Sequence, residues 1–172
     1  DWGIPLGRRF RALKLWYHLR LDGVEAIRTR IRRDLDNAQW FAEQVRTESH
    51  WHVLAPVQLQ TVCIRHEPPG LEGDAIDAHT LSWVRAVNES GKAFMSPSQL
   101  DGRWMVRVSI GVEATTRAHI EKLWVLIRDQ ASASLRKRLA KSRCHEIREL
   151  RTYGATVAHS SQPDVEYLEA IH

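Results

Sequence analysis

The chain has 172 residues, of which 43% are hydrophobic and 27% are charged. A chain of this length and composition is sufficient for one domain of ordinary size with a packed core, and it is not expected to be disordered throughout. No run of about 20 apolar residues occurs, which excludes a membrane-spanning helix and argues against a membrane partner. Two cysteines, Cys63 and Cys144, are too few for a disulfide scaffold, so we expect a reduced, cytoplasmic setting.

The net charge of +4 reflects basic residues that are grouped in three segments, 8–20, 28–33 and 136–143. A basic group of this kind can form a nucleic-acid footprint. However, acidic residues such as Asp34 and Asp36 lie close by, and no base-reading motif accompanies the charge. We therefore expect solvated helix faces with local ion pairs, and no nucleic-acid partner.

Apolar residues recur at helical spacing over the first 45 residues. The spacing predicts a first helix over 7–21, a turn at Asp22-Gly23 and a second helix over 24–45. The second helix carries the clearest apolar stripe of the chain, and we expect that whole stripe to face a core. The stripe consists of Val24, Ile27, Ile31, Leu35, Ala38, Phe41 and Val45.

The apolar period then changes from helical to strand-like. Segments 52–55 and 57–66 are rich in β-branched residues and predict two strands, the second of them central in a sheet. Pro68, Gly70 and Gly73 break this pattern. Asp74 is predicted to cap a helix over 75–89.

The next segment predicts a short strand over 93–96, a loop over 98–103 with a tight turn at Asp101-Gly102, and a long strand over 104–110. Thr115 or Thr116 then caps a last helix. The inner face of this helix is predicted to be Ile120, Leu123, Trp124 and Ile127.

This order of elements predicts an α+β fold: a small, mostly antiparallel sheet with helices packed on one face, preceded by a long connecting helix. We expect three parts, namely a connecting helix over 1–22, a small α+β domain over 23–128, and a basic helical or disordered tail over 129–172. Because the chain begins at Asp1 and opens directly into a helical pattern, we expect it to be a piece of a longer or processed protein.

The sequence has no motif of a self-sufficient active site, such as a nucleophile elbow, a P-loop, a glycine-rich dinucleotide turn or HExxH. His50, His52 and His66 lack the spacing of converging ligands, so we expect no metal site. Cys63 and His66 stand three residues apart on a predicted strand and face opposite sides, which argues against a catalytic pair.

Arg107 is unusual because it interrupts an otherwise apolar strand. An unpaired buried charge is very costly, so this arginine must form an ion pair, extend to solvent or bind an anion. A guanidinium matches a carboxylate or phosphate bidentately. Arg9 is a second candidate, because helix starts attract anions and a basic cluster strengthens the attraction. The residues alone leave structural and functional roles open for both arginines.

Five segments form one ordered set: DWGIPLGRRFRALKLW at 1–16, then 23–25, 59–65, 101–110 and 120–124. In residues and in order, this set closely resembles the group II pyridoxal-phosphate-dependent amino-acid decarboxylases. The resemblance covers roughly residues 1–128 and is nearest to the aromatic-L-amino-acid branch of that family.

The resemblance implies that the chain is the C-terminal portion of a fold-type-I lyase that removes carbon dioxide from an amino acid, an aromatic one by the nearest branch. Pyridoxal 5'-phosphate would be bound mainly by a preceding large domain. The lysine that bonds to the cofactor belongs to an Asn-His-Lys-type motif that this chain lacks, so Lys14 is not that lysine and the chain alone would be inactive. The full enzyme is expected to be a homodimer with the active site at the subunit interface. The isolated chain should expose an apolar face of helix 7–21.

The resemblance also implies a substrate-binding role for Arg107 and Arg9. Arg107 aligns with the arginine that resembles the substrate-carboxylate contact of glutamate decarboxylases, and Arg9 aligns with an arginine near the mobile catalytic loop. No catalytic residue and no cofactor ligand are expected within the chain itself. The alternative is a stand-alone basic binding module without catalysis.

Overall fold

A computed structural model of the chain describes the backbone of residues 10–160 and the side chains of residues 10–141. The chain forms two compact units, which divide between Ala131 and Ser132. The helices are α1 (Arg11–Leu21), α2 (Gly23–Thr47), α3 (Asp74–Glu89) and α4 (Arg117–Ser160), and the strands are β1 (Trp51–Val53), β2 (Thr61–His66), β3 (Ser96–Leu100) and β4 (Arg103–Ser109). In the part of the chain so described, no helix is both long and apolar enough to cross a membrane.

The predicted boundary between the first two helices is confirmed. The backbone N–H of Asp22 donates to the carbonyl of His18 and closes α1, and Gly23 adopts a φ of 77°, which side chains disfavour. The predicted stripe of α2 holds only in its second half, where Phe41 and Val45 are buried, whereas Val24 and Ile31 are 51% and 45% exposed. The prediction was wrong for the first half because the core contacts only the last three to four turns of this 25-residue helix.

The four strands form one antiparallel sheet in the order β1-β2-β4-β3. β2 therefore occupies a central position, as predicted. β3 and β4 are joined by the predicted turn, in which Asp101 and Gly102 have φ angles of 51° and 75°. Positive φ at both central residues is the signature of a tight hairpin turn that matches the twist of the strands.

Three predicted boundaries were wrong. β2 begins at Thr61 rather than at residue 57, because its pairing with β4 starts where Thr61 faces Ser109. β3 occupies part of the predicted loop, since the tight turn places Leu100 opposite Arg103 and extends the pairing back to Ser96. Asp74 is the first residue of α3 and not its cap, a position that Gly73 occupies with a φ of 51°.

The core lies on one face of the sheet. Val62 and Ile64 of β2 and Val106 and Val108 of β4 are at most 2% exposed. Four aromatic rings connect the sheet to the helices, with centroid distances of 5.1 to 5.6 Å in edge-on contacts. These rings belong to Phe41, Trp51, Trp83 and Trp124. Edge-on aromatic pairs add to the hydrophobic gain of burying such large side chains.

The predicted inner face of the last helix is also confirmed, because Ile120, Trp124 and Ile127 are buried and Leu123 packs partly against them. The helix does not end near residue 128 but runs on to Ser160. The compact units divide three residues after the predicted boundary, within this helix. Residues 161–172 of the predicted tail lie outside the described residues.

Trp83→Ala tests the aromatic contacts. This side chain is fully buried, so we expect its loss to lower the free energy of unfolding by about 3–5 kcal/mol in urea denaturation. Trp16→Ala is the matched control, because Trp16 is 52% exposed and its loss should cost about 0.5 kcal/mol or less. Equal losses for the two variants would contradict this description of the core.

Candidate functional site

The sheet face turned away from the core is the candidate site, and we call it the open face. Alternation along the strands places His52, Thr61, Cys63, Arg65, Ser96, Arg107 and Ser109 on this face. All of them are partly or fully exposed, in contrast to the buried residues between them. Met105 of β4 also lies on this face and is buried, so the open face is a mainly polar surface with one buried apolar side chain, backed by a packed core.

Arg107 lies in the middle of the open face, between Cys63 of β2 and Ser96 of β3. Its side chain is exposed and makes no hydrogen bond or ion pair with any residue among 10–141. Arg103 on the same strand differs, because its guanidinium contacts the Asp77 carboxylate at 3.3 Å and donates to the Gly73 carbonyl at 2.8 Å. Within the described chain, the structure thus removes the ion-pair alternative for Arg107 and leaves its guanidinium available to an anion.

The neighbours of Arg107 do not neutralise it. Burial raises the pKa of the Cys63 thiol above its ordinary value, and the nearby Arg107 charge opposes this rise only in part. The thiol is therefore neutral at physiological pH. Glu67, the acid nearest along β2, accepts a hydrogen bond from Arg65 Nε at 2.5 Å. At the other end of the face, the hydroxyls of Thr61 and Ser109 lie 3.3 Å apart.

Arg9, the second predicted substrate-binding residue, lies outside the described residues. The helix that follows it is a second exposed feature. α1 has no buried residue, and Phe10, Leu13 and Trp16 are 73%, 44% and 52% exposed, as expected for the isolated chain. An apolar cleft of about 470 Å³ runs along the helix. We call this the α1 surface; the cleft is lined by Phe10, Ala12, Leu13, Leu15, Trp16 and Leu19.

The basic residues of α2 form the local ion pairs that the sequence predicts. Arg28 contacts Glu25 at 2.6 Å, and Arg33 contacts the buried Asp34 at 3.1 Å. Arg30 reaches across to Glu113 at 3.1 Å. Much of this charge is therefore compensated within the chain.

The histidines reveal a buried contact that the sequence analysis missed. His66 points into the core side of the sheet, opposite to Cys63, as predicted. There its Nδ1 lies 3.0 Å from Nε2 of His79 on α3. The sequence feature that could have revealed this contact is the position of His79 on the apolar face of its helix, three residues after Ile76 and four before Trp83. Over the residues searched, no three His, Cys, Asp or Glu side chains converge on a possible metal site.

Comparisons with known proteins bear directly on this fold and site. Residues 1–67 match the pyridoxal-dependent decarboxylase conserved domain. Tryptophan decarboxylase 2 of Oryza sativa subsp. japonica is 37% identical over 137 residues, which are 80% of this chain and 28% of that protein. Tyrosine decarboxylase 2 of Narcissus pseudonarcissus is 40% identical over 135 residues, or 78% of this chain and 27% of that protein.

A solved structure agrees with these sequence matches. The structure of Catharanthus roseus tryptophan decarboxylase in complex with L-tryptophan superimposes with a TM-score of 0.67 at 30% identity, covering 77% of this chain and 28% of that one. The chain is therefore similar over about four fifths of its length to pyridoxal-phosphate-dependent decarboxylases, and its α+β fold is a part of their fold-type-I architecture. It spans a little over a quarter of the length of the relatives it matches.

The described residues do not themselves fit a pyridoxal cofactor. Such a cofactor bonds to a lysine held in a shaped site beside a partner for its ring nitrogen. Lys14 is exposed on α1, and Lys92 and Lys122 are exposed beside an open groove at α4. The open face has no lysine at all among its described residues.

The pairing of Cys63 with Arg107 predicts a measurable effect on thiol reactivity. Because the guanidinium favours the thiolate, Arg107→Gln should raise the pKa of Cys63 further and slow its alkylation by iodoacetamide near neutral pH. The rate is measured by mass spectrometry in a Cys144→Ser background. Arg103→Gln is the control, since Arg103 is engaged by Asp77, and should leave the rate unchanged. Faster alkylation in Arg107→Gln would contradict the pairing.

Proposed function

We propose that the chain is the small C-terminal portion of a pyridoxal-phosphate-dependent decarboxylase that acts on an aromatic L-amino acid. This proposal depends chiefly on one observation, the exposed Arg107 guanidinium on the open face. No carboxylate among residues 10–141 neutralises this guanidinium. The similarity to tryptophan and tyrosine decarboxylases supports the reaction and the substrate class. The free Cys63 supports a cytoplasmic location.

Arg107 is proposed to bind the carboxylate group of the substrate. A guanidinium offers two parallel N–H donors that hold a carboxylate in one plane and orientation. Orientation matters for decarboxylation, because the bond that breaks must be aligned with the electron-withdrawing group. The neutral Cys63 and Ser96 on either side of Arg107 leave its charge intact for this role. Arg9 is retained as a second substrate-binding residue, supported by the family match over residues 1–67.

The cofactor is proposed to bind mainly in a part of the protein outside this chain. The chain spans only 28% of a full-length relative, and its described lysines are exposed. Pyridoxal 5'-phosphate supplies the electron sink for the reaction when bound. The role of this chain is to close one side of the substrate site with the open face, and the chain alone is expected to be inactive.

The α1 surface is proposed to be covered in the full enzyme by the large domain or by the second subunit of a homodimer. A contiguous exposed patch of large apolar side chains is unusual on a soluble monomer and marks an interaction surface. The exposed apolar side chains of Val24 and Ile31 on the following helix, α2, support the same assignment. The similarity of the chain to whole decarboxylases favours this enzyme over a stand-alone basic module.

Arg107→Met in the full-length protein tests the proposed function. We expect an aromatic L-amino acid to release carbon dioxide in the wild type with added cofactor, and the variant to lose about a hundredfold or more in kcat/KM. Circular dichroism should be unchanged, because Arg107 is exposed. Arg103→Met is the control on the same strand.

Two outcomes would contradict this assignment. Near-normal turnover in Arg107→Met would return this arginine to a structural role. The decarboxylase proposal as a whole would be contradicted if the full-length protein showed no visible absorption of bound cofactor and released no carbon dioxide.

The α1 surface makes its own prediction for the isolated 172-residue chain. Because Leu13 and Trp16 are exposed, the chain should self-associate as its concentration rises, which sedimentation velocity measures. Leu13→Lys/Trp16→Lys should reduce this association. A chain that stays monomeric at millimolar concentration would contradict the assignment of the α1 surface as an interaction surface.

A further inference from the structure

We propose that a groove between α2 and the start of α4 binds a phosphate group. The groove has a volume of about 650 Å³, which lies within the range of small-molecule sites. We call it the α2–α4 groove. Unlike most sites of this size, it has no hydrophobic residue in its described lining, which consists of Thr29, Arg32, Arg33, Asp36, Asn37, Thr116 and Arg117. All of these residues belong to the first compact unit.

The start of α4 is electropositive and lacks an acidic residue that would compensate it. The first backbone N–H groups of a helix have no preceding turn to accept their hydrogen bonds, so this end of the helix carries a partial positive charge. The first turn of α4 has no acidic residue and begins with Arg117, which adds to the positive charge. A helix start of this kind attracts anions. A binding site also needs further donors at the same place.

Asn37 provides a second, independent indication of a ligand. Its side chain lines the groove and is only 2% exposed. Its Oδ1 accepts a hydrogen bond from Arg117 Nε at 2.9 Å, which fixes the orientation of the amide because a guanidinium can only donate. The buried Nδ2 then has no hydrogen-bond partner among the described residues. A buried donor without an acceptor is costly, and a phosphate oxygen would supply the acceptor.

Arg117 is held in place without being neutralised. Its guanidinium carbon lies 4.8 Å from the centroid of the Trp40 ring, and its Nη2 donates to the backbone carbonyl of Asp36 at 3.3 Å. Among residues 10–141, no carboxylate forms an ion pair with it. A guanidinium that an aromatic ring and two neutral acceptors hold in one position is preorganised to bind an oxyanion.

The remaining charges leave the groove with an excess of positive charge. Arg32 is exposed and makes no hydrogen bond or ion pair within the part of the chain whose side chains are described. Arg33 is paired with the buried Asp34 at 3.1 Å. The exposed Asp36 carboxylate is the one acidic group in the described lining. The unpaired charges of Arg32 and Arg117 therefore outnumber it.

The number of donors and their origin on two helices favour a phosphate over a carboxylate. They include guanidiniums, the Asn37 amide and the exposed hydroxyl of Thr29. A carboxylate accepts through two oxygens in one plane. A phosphate group accepts through at least three oxygens in a tetrahedral arrangement and carries about two negative charges. A phosphate group can therefore bind both helices at once.

The α2–α4 groove is separate from the open face. Phe41 of α2 and Trp124 of α4 pack in the core, on the side of the sheet opposite to Arg107. The phosphate site therefore does not rest on the proposed decarboxylase function, and either proposal can fail without the other.

The test titrates inorganic phosphate into the full-length protein and measures the heat of binding. The protein is first saturated with pyridoxal 5'-phosphate and freed of the excess, so that no cofactor site can take up the added phosphate. We expect a Kd of about 1 mM or below at low ionic strength. Arg32→Gln should raise this Kd about tenfold or more, because a charge-assisted donor is lost. This variant should fold normally, since Arg32 is exposed and unpaired within the described chain.

Arg28→Gln is the matched control. Arg28 also lies on α2 and its loss removes the same charge, but it is paired with Glu25 and does not line the groove. This variant should change the Kd about twofold at most, because solvent screens a charge at that distance.

Two further ligands identify the chemistry that is bound. Acetate should bind about tenfold more weakly than inorganic phosphate or worse, because it offers fewer acceptors and less charge. Glycerol 3-phosphate that binds at least as tightly as inorganic phosphate would identify a phosphate monoester as the ligand. Weaker binding of glycerol 3-phosphate would identify free phosphate.

Asn37→Asp tests the buried amide. It keeps the size of the side chain but replaces the Nδ2 donor with a carboxylate oxygen, which repels phosphate and can pair with Arg117. Phosphate binding should be lost. Hydrogen exchange locates the site: phosphate should slow exchange over 29–37 and 116–120 in the wild type and leave α3 unchanged. If Asn37→Asp does not fold, the comparison of Arg32→Gln with Arg28→Gln decides the case.

Any of four results would overturn the phosphate site. The first is a wild type that binds phosphate no better than chloride at the same ionic strength. The second is an equal Kd for Arg32→Gln and Arg28→Gln, and the third is acetate that binds as tightly as phosphate. The fourth is a folded Asn37→Asp that binds phosphate like the wild type.

Discussion

One face of the sheet is buried by the helices and the other is mostly exposed, and the other features of the molecule depend on this asymmetry. Val62, Ile64, Val106 and Val108 form a continuous apolar layer that the helices cover. Because side chains alternate across a strand, the same strands must present their other residues on the opposite side. This is how a charged Arg107 is accommodated in an apolar strand without the cost of burial.

The asymmetry also explains how a compact small unit can hold an exposed guanidinium in a fixed position. The core fixes the backbone of β2 and β4, and the backbone fixes the position of Arg107 between Cys63 and Ser96. A rigid scaffold of this kind limits the motion of a binding group more effectively than a loop does. The α1 surface supplies the second exposed region, and its apolar character suits contact with a protein surface rather than with water.

Polar groups inside the unit are placed where they link elements. Asp77 connects α3 to the start of β4, and His66 and His79 connect the end of β2 to α3. Asn37 receives a hydrogen bond from Arg117 and ties the start of α4 to α2. Buried and partly buried polar contacts of this type specify a unique arrangement of elements, because each has few alternative partners.

The sequence by itself determined the α+β class and the order of the elements. These follow from local periodicity, which the chain carries in its own residues: the 2-residue alternation of 104–110 and the helical spacing of 120–127. The resemblance of the opening segment to the decarboxylases predicted the family whose members the comparisons match.

Tertiary structure alone decided where β2 and β3 begin, because a strand exists only where a partner strand lies opposite. It also decided that Val24 and Ile31 stay exposed, that Arg107 has no ion-pair partner among the described residues, and that His66 meets His79. Each of these depends on residues that are far apart in sequence, and no local pattern can specify which of them come together in space.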